Sequence, residues 1–391
     1  MATSPMPARR RSRMAQTLQA DPKLMKTLKN FGAFDVSACF SCGNCTATCP
    51  LSSTSTAFPR KMITYAQLGL EGKLLESPDM WLCDYCGECS KTCPRQAEPS
   101  EFMMAVRRFA VSRYTPSPVS RMIFSSKAFT LLFMAAVALI PIGLFATLQV
   151  PSGSQSANMF SFIPEDWIHY TGIAVGLVVA LAVLVGVVRM YKRVTTGLRE
   201  AGSAAPGPEE WARQLVPTVF KESLIQSRSE ECKASPTLGG RLTGRWFNHM
   251  MMFWGFLGLL VSTGLRFLVV PTNGNVVSLA DPVRVLGTAS GILLTFGTLA
   301  MMAQRLRKSD VSTKHTLFTD WVFLVLLLLA GITGFLLEAF SYGSAAWLTD
   351  YTLAAHLVVV FELLILAPFT KFAHAIYRPI GIWISRAYHH I

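Results

Sequence analysis

Six apolar stretches, residues 128–150, 169–190, 246–265, 285–303, 321–337 and 351–377, fill most of the last two thirds of the chain. Each is near the roughly 20 residues that a helix needs to cross about 30 Å of hydrocarbon. An all-α membrane bundle is the architecture this leaves. The composition agrees, since 51% of the 391 residues are hydrophobic and only 15% are charged, which is not the balance of a soluble globule. The fifth stretch is short, and the sixth carries Glu362 and Pro368.

A net charge of +13 suits a nucleic acid as well as an anionic membrane surface, so the placement of the cations decides. Residues 189–245 hold ten Lys and Arg, 304–320 four, and 371–391 three. The alternate connections 151–168, 266–284 and 338–352 hold none, two and none. Positive connections stay inside, so six spans with both termini in the cytoplasm are expected. The charge reads as topology and not as a nucleic-acid surface. The opening "MATSPMPARRRSRMAQ" has basic residues with no apolar core behind them, so no cleaved signal peptide is expected.

The expected organisation is a basic tail over 1–30, a cytoplasmic domain over 31–127, and a membrane domain over 128–391 with a cytoplasmic loop at 191–245. In the first domain, residues following each cysteine run have helical spacing, and Ser100 is expected to cap the second of these helices, with Pro94 and Pro99 outside it. In the loop, "EEWARQLVPTVFKESLIQ" spaces Trp211, Leu215, Val219 and Leu224 as an amphipathic helix, suited to the membrane surface or to a partner. Gly287 and Gly291 form a small-residue pair for close helix packing.

Eight of the nine cysteines lie in "CFSCGNCTATCP" (39–50) and "CDYCGECSKTCP" (83–94), leaving Cys232 alone. Each run reads C-x2-C-x2-C-x3-C-P, the ligand pattern of two-cluster ferredoxins, in which three close thiolates hold one [4Fe–4S] cube and the fourth reaches the other. Cys39, Cys42, Cys45 and Cys93 are therefore assigned to one cluster, and Cys83, Cys86, Cys89 and Cys49 to the second. Gly43 and Gly87 permit the tight turns. Structural zinc favours two separated pairs over a run closed by proline. A disulfide framework does not cluster its thiols in this way.

An ionisable side chain inside a span is costly and marks function. His356 and His374 are 18 residues apart, five helical turns, so one straight helix would carry both on one face about 27 Å apart. His249 opens the third span at the depth of His374, and His169 opens the second at the depth of His356. Bis-histidine haem b sites are expected at His249 with His374 and at His169 with His356. Next to Trp167 and Tyr170, His169 also suits an interfacial anchor. Glu362 lies off the histidine face, with a proton, quinone or packing role open to it; Arg266, Glu338 and Tyr342 are further quinone contacts to consider. His315, His389 and His390 read as solvated.

These residues carry a resemblance. "CFSCGNCTATCP", "PRKMI" and "WLCDYCGECSKTCPR" resemble the small iron–sulfur subunit of heterodisulfide reductase, and the remainder is similar to its cytochrome b subunit and, more distantly, to the membrane subunit of respiratory nitrate reductase. The fusion of the two resembles the C-type subunit of the quinone-interacting membrane-bound oxidoreductase complex of sulfate reducers. The resemblance implies a helical two-[4Fe–4S] ferredoxin-type domain ahead of a six-helix bundle of the nitrate reductase gamma type. It further implies two haems b, menaquinone as substrate, two cytoplasmic flavin and iron–sulfur subunits as partners, and electron exchange with adenylylsulfate reductase. The nitrate reductase relative has a second histidine ten residues along the third span, where this chain has Leu259, so His169 is assigned in its place and is not carried over from the resemblance.

An electron-transfer subunit is the expected function, because no nucleotide or flavin fingerprint accompanies the redox motifs. Two other functions compete with it. A self-contained quinone-linked dehydrogenase needs a substrate pocket, for which about 120 soluble residues around two cubes leave little room. A membrane-anchored redox sensor is the other, and the membrane subunit of a heterodisulfide- or sulfite-reductase-type complex is the nearest variant of the leading reading.

Overall fold

A computed structural model describes residues 19–53, 57–148, 163–231, 244–268, 277–308, 313, 315–343 and 346–389. Cys232 and His390, and with them most of the basic tail, lie outside these residues. Every regular element among the described residues is helical.

The front part is built from α1 (Leu24–Asn30), α2 (Asn44–Thr48), α3 (Arg60–Gln67), α4 (Glu71–Glu76), α5 (Asp79–Leu82), α6 (Glu88–Lys91), α7 (Pro99–Tyr114) and α8 (Val119–Ser125). Its centre is α7, whose Phe102, Met103, Ala105, Val106 and Phe109 are at most 1% exposed. Pro99 is at the first helical position, where its missing amide hydrogen costs nothing. This corrects the expectation that Pro99 lies outside and Ser100 caps. Ser100 is already in the helix, where its backbone N–H donates to Ser90 Oγ at 3.1 Å and ties α7 to the second cysteine run.

Among the described residues, six helices are long and apolar enough to cross a membrane. They belong to α9 (Lys127–Leu148), α10 (Glu165–Glu200), then, after α11 (Pro208–Pro217) and α12 (Ser227–Glu231), α13 (Arg245–Leu268), α14 (Pro282–Arg307), α15 (Phe318–Ser341) and α16 (Ala346–Leu366). Leu132, Leu139, Leu177 and Leu181 stand 62–70% exposed on the outside of this bundle, the place for hydrocarbon-facing side chains. Inside, α13 and α14 pack backbone to backbone: a Cβ added at Gly297 would lie 2.6 Å from the Met252 nitrogen. Gly287 and Gly291 do not act as one pair, since Gly287 faces Ser262 on α13 and Gly291 faces the Phe335 ring on α15.

The sixth span departs from expectation. It ends at Leu366, short turns follow at Ala367–Phe369 and Lys371–Ala373, and His374 opens a separate helix, α17 (His374–Ala387). Pro368 has no N–H to donate and disfavours helix at the preceding residue, and Thr370 is extended at φ −120°, ψ −166°. The carbonyls so freed find donors: Thr370 Oγ1 donates to Leu366 O at 2.9 Å and Ser120 Oγ to Phe369 O at 3.0 Å. His356 and His374 therefore do not share one helix face.

The front and membrane parts have one continuous core. Trp81 and Phe109 are buried with Met190, Val194 and Leu198 of α10 and with Tyr377 and Ile384 of α17. At 36 residues α10 is about 54 Å long, more than a bilayer needs, and its last turns enter this core. The expected loop at 191–245 thus begins as helix. The amphipathic segment splits into α11 and a π-helical stretch, Thr218–Ile225. α11 is docked onto α17, with Trp383 Nε1 donating to Trp211 O at 2.9 Å, while Leu215, Val216 and Phe220 stay exposed.

An ion triad, buried at Asp320 and Arg108 and partly exposed at Lys371, closes the joint. Asp320, at the start of α15, pairs with Arg108 of α7 and with Lys371, each at 3.3 Å, and Arg108 Nη1 also donates to Phe31 O at 2.9 Å. Removing one partner of a buried pair leaves an uncompensated charge. Arg108→Ala is expected to destabilise the protein by about 3–5 kcal/mol, read as a lower denaturation midpoint of the detergent-purified protein; an unchanged midpoint would contradict the triad's structural role.

Candidate functional site

The two cysteine runs fold alike. Gly43 and Gly87 take φ +93° and +84° and start α2 and α6, and Ser41 and Tyr85, two residues earlier in each run, take φ +61° and +55°. Thiolates accept backbone hydrogens in both, from Ser41 N to Cys39 Sγ at 3.4 Å and from Tyr85 N to Cys83 Sγ at 3.3 Å. Ala97 N adds a third, to Cys93 Sγ at 3.3 Å.

Cys39, Cys42, Cys45 and Cys93 line one cavity together with Phe40, Arg60 and Arg95. The last cysteine of the second run has thus joined the first three of the first. In the other direction, the Cys83 and Cys86 thiols of the second run act electrostatically on Cys49, with Cys45 adding to them. The donor set fits two four-thiolate groups with exchanged fourth ligands. Burial pushes the Cys49 thiol up to about 12, and it raises Cys45, Cys83 and Cys89 too, with the neighbouring thiols adding to it. Metal binding at these thiols therefore releases protons at neutral pH.

The two runs are held differently. Gln67 Nε2 donates to Cys39 O at 2.9 Å. Around the second run three guanidiniums converge on backbone carbonyls. Arg107 reaches Met80 O at 2.6 Å and also Cys83 O. Arg245 reaches Asp84 O and Tyr85 O, both at 2.8 Å, and Arg378 reaches Trp81 O at 3.3 Å and the Asp84 carboxylate. The count of cations by connection had hidden these arginines.

Of the four histidines singled out, the structure brings His249 and His374 together. Their ring centres are 6.1 Å apart with planes at 58°. Two imidazoles on opposite sides of one metal stand about 6 Å apart between centres, given bonds of about 2.0–2.1 Å to each nitrogen. His374 Nδ1 donates to Lys371 O at 2.5 Å, which leaves Nε2 as the lone-pair nitrogen. His249 Nδ1 is buried without a hydrogen-bond partner among the described residues. Phe372, two residues before His374, packs edge-on against Phe256 and Phe323. These residues fit a haem, which the two imidazoles would hold.

His356 and His169 have separate neighbours. Thr333 Oγ1 donates to Leu329 O at 2.6 Å and so accepts from His356 Nδ1 at 2.9 Å, again leaving Nε2 free; nothing in the sequence had marked Thr333. His169 packs edge-on against Phe267 at 4.5 Å, 3.8 Å from the Glu165 carboxylate, and among the described residues no ring contact joins it to His356. At the same end of the bundle as His169 and Phe267, Arg284 binds Glu338 at 2.8 Å and lies 4.2 Å over the Tyr342 ring, Thr288 donates to Glu338 at 3.1 Å, and Arg266 pairs with Asp281. Arg266, Glu338 and Tyr342 thus fall in one polar patch, to which Arg284 and Thr288 are additions. Glu362 is 8% exposed on α16.

Comparison with known proteins matches two separate stretches of the chain. Residues 35–97 match the 4Fe-4S dicluster domain, and residues 115–388 match citrate utilization protein B. A protein of Archaeoglobus profundus that is like the C subunit of heterodisulfide reductase is 33% identical over 97 residues, covering 25% of this chain and 52% of the relative. Citrate utilization protein B of Escherichia coli is 26% identical over 245 residues, 61% of this chain and 60% of the relative. The E subunit of the dihydromethanophenazine:CoB–CoM heterodisulfide reductase of Methanosarcina thermophila is 23% identical over 261 residues, 57% of this chain and 98% of the relative. The chain thus spans little more than half the length of the first two relatives. No solved structure matches it. An iron–sulfur part and a membrane part, each like a heterodisulfide reductase subunit, are fused here, as the resemblance implied. With its longer match covering 115–388, a multi-pass membrane region, the chain belongs to the citrate utilization protein B family.

Proposed function

We propose that the chain is a membrane electron-transfer subunit, relaying electrons between menaquinol and two cytoplasmic flavin and iron–sulfur subunits, and onward to adenylylsulfate reductase in dissimilatory sulfate reduction. It lies in the cytoplasmic membrane with both termini inside. The observation that supports this most is the His249–His374 pair, carried by the same two helices whose Arg245 and Arg378 bind the second cysteine run. When bound, two [4Fe–4S] clusters and two haems b supply one-electron carriers at these sites.

The chain's own residues do the rest. Cys39, Cys42, Cys45 and Cys93 hold the first cluster, and Cys83, Cys86, Cys89 and Cys49 the second. His249 and His374 hold one haem. His356, its Nε2 kept free by Thr333, offers the ligand for the other, with His169 as its partner once the ring turns from Glu165 and Phe267. The patch of Arg284, Thr288, Glu338 and Tyr342, with Arg266 beside it, offers donors and acceptors to a quinone head group. The domains divide at 31–127 and 128–391. The match over 115–388 favours a second reading in which the partner serves citrate utilization; the soluble subunits that co-purify separate the two.

Purified protein reduced with dithionite is expected to give a b-type haem spectrum, and His374→Ala to lose one of two haem signals while iron–sulfur absorbance persists. A wild type without haem absorbance would sink the relay. Cys49→Ser is expected to perturb the electron paramagnetic resonance signal of the second cluster and spare the first, and Cys93→Ser the reverse. Perturbation of each serine variant's own run would refute the exchange of fourth ligands.

A further inference from the structure

The cysteine runs are near copies in backbone and in sulfur hydrogen bonds, yet among the described residues only the second has its backbone gripped by arginines. Carbonyls of five residues between Met80 and Tyr85 accept from Arg107, Arg245 and Arg378. Two of these arginines stand one helical turn from a histidine of the pair: Arg245 is four residues before His249 on α13, and Arg378 four after His374 on α17. Residues four apart on a helix share a face, so each arginine stands on the face of its histidine while its guanidinium reaches the Met80–Tyr85 segment. Arg378 contacts the Asp84 carboxylate there. Arg245 instead caps two neutral carbonyls and lies 5.7 Å over the Tyr85 ring, so these contacts leave its charge uncancelled. The first run lies farther out, with Cys42 exposed and Phe40 60% exposed.

We propose that Arg245 and Arg378 are positioning residues that lock the Cys83–Cys86 loop onto the His249–His374 pair and place positive charge shared by those two centres and not by the first cysteine set. The second cluster is then the one facing the membrane, and the first faces the partner. This rests on the functional reading above. Cluster and haem potentials respond to nearby charge and to hydrogen bonds around the ligands, and most strongly where water is excluded. A shared cation therefore leaves a paired signature.

The test is a redox titration of the full-length, detergent-purified holoprotein, with clusters followed by electron paramagnetic resonance and haems by absorbance. Arg245→Gln is expected to move the second cluster and one haem to more negative potential and to leave the first cluster where it was. Arg245→Lys, which keeps the charge, is expected to restore both potentials towards wild type. An Arg245→Gln protein that lacks the second cluster but keeps the first also supports the proposal, and Arg378→Gln is expected to repeat the pattern. Unmoved potentials, or both clusters shifting or vanishing together, would overturn it. A wild type without haem would instead overturn the functional reading, so the two failures are distinguishable.

Discussion

Pro368 removes one amide hydrogen from the last membrane helix, and the chain's architecture turns on how that loss is absorbed. The helix ends at Leu366, two short turns redirect the backbone, and the freed carbonyls are satisfied by Thr370 and by Ser120 of the front part. Beyond the turns, α17 is free to lie against the iron–sulfur part. A continuous helix would have carried His374 onward along its own axis. The break lets His374 meet His249, and four residues later Arg378 reaches the Cys83 loop.

Once α17 is redirected, the iron–sulfur part is seated and not merely tethered. Tyr377 stacks on Trp81 at 5.9 Å, and at Gly381 the helix comes so near that an added Cβ would lie 2.6 Å from the Trp81 side chain. Burying a large apolar side chain of this kind contributes about 1.5–3 kcal/mol, and several are buried here at once. Interfaces within a chain are often small and mobile. This one shares a hydrophobic core with α10 and α17 and is pinned by the Arg108–Asp320–Lys371 triad, which favours a fixed position of the cysteine runs over the membrane part.

Legibility in the sequence depended on how local each physical rule is. Cluster ligands must sit within a few residues of one another, so the cysteine runs were legible, as were six spans that each need an uninterrupted apolar length. The resemblance to two heterodisulfide reductase subunits was legible for the same reason; the citrate utilization family was not expected. The failures came where a single residue outweighs a pattern. Hydropathy averages over Pro368, so residues 351–377 read as one rod. Small-residue spacing marked Gly287 and Gly291 without revealing that they face different helices. Thr333 carries no signal of its own, because its hydroxyl matters only through the ring across from it.

The basic residues show most clearly how one feature carries two physical duties. Their distribution among the connections fitted a topological rule, which asks only on which side of the membrane a cation stands. In the structure several of them are also structural ties. Arg189 donates to Thr115 O at 3.2 Å and Arg199 to the Tyr388 hydroxyl at 3.2 Å, while Arg386 and Arg228 share Glu222. A cation that the topological rule places in a connection and that also binds a carbonyl or carboxylate of the seated domain serves both ends with no further charge. Arg245 and Arg378 fit the same logic at the most consequential position, where the tie runs to the loop of a metal site. Placement among the spans is therefore the weaker constraint on these residues, and the carbonyls they reach are the stronger one.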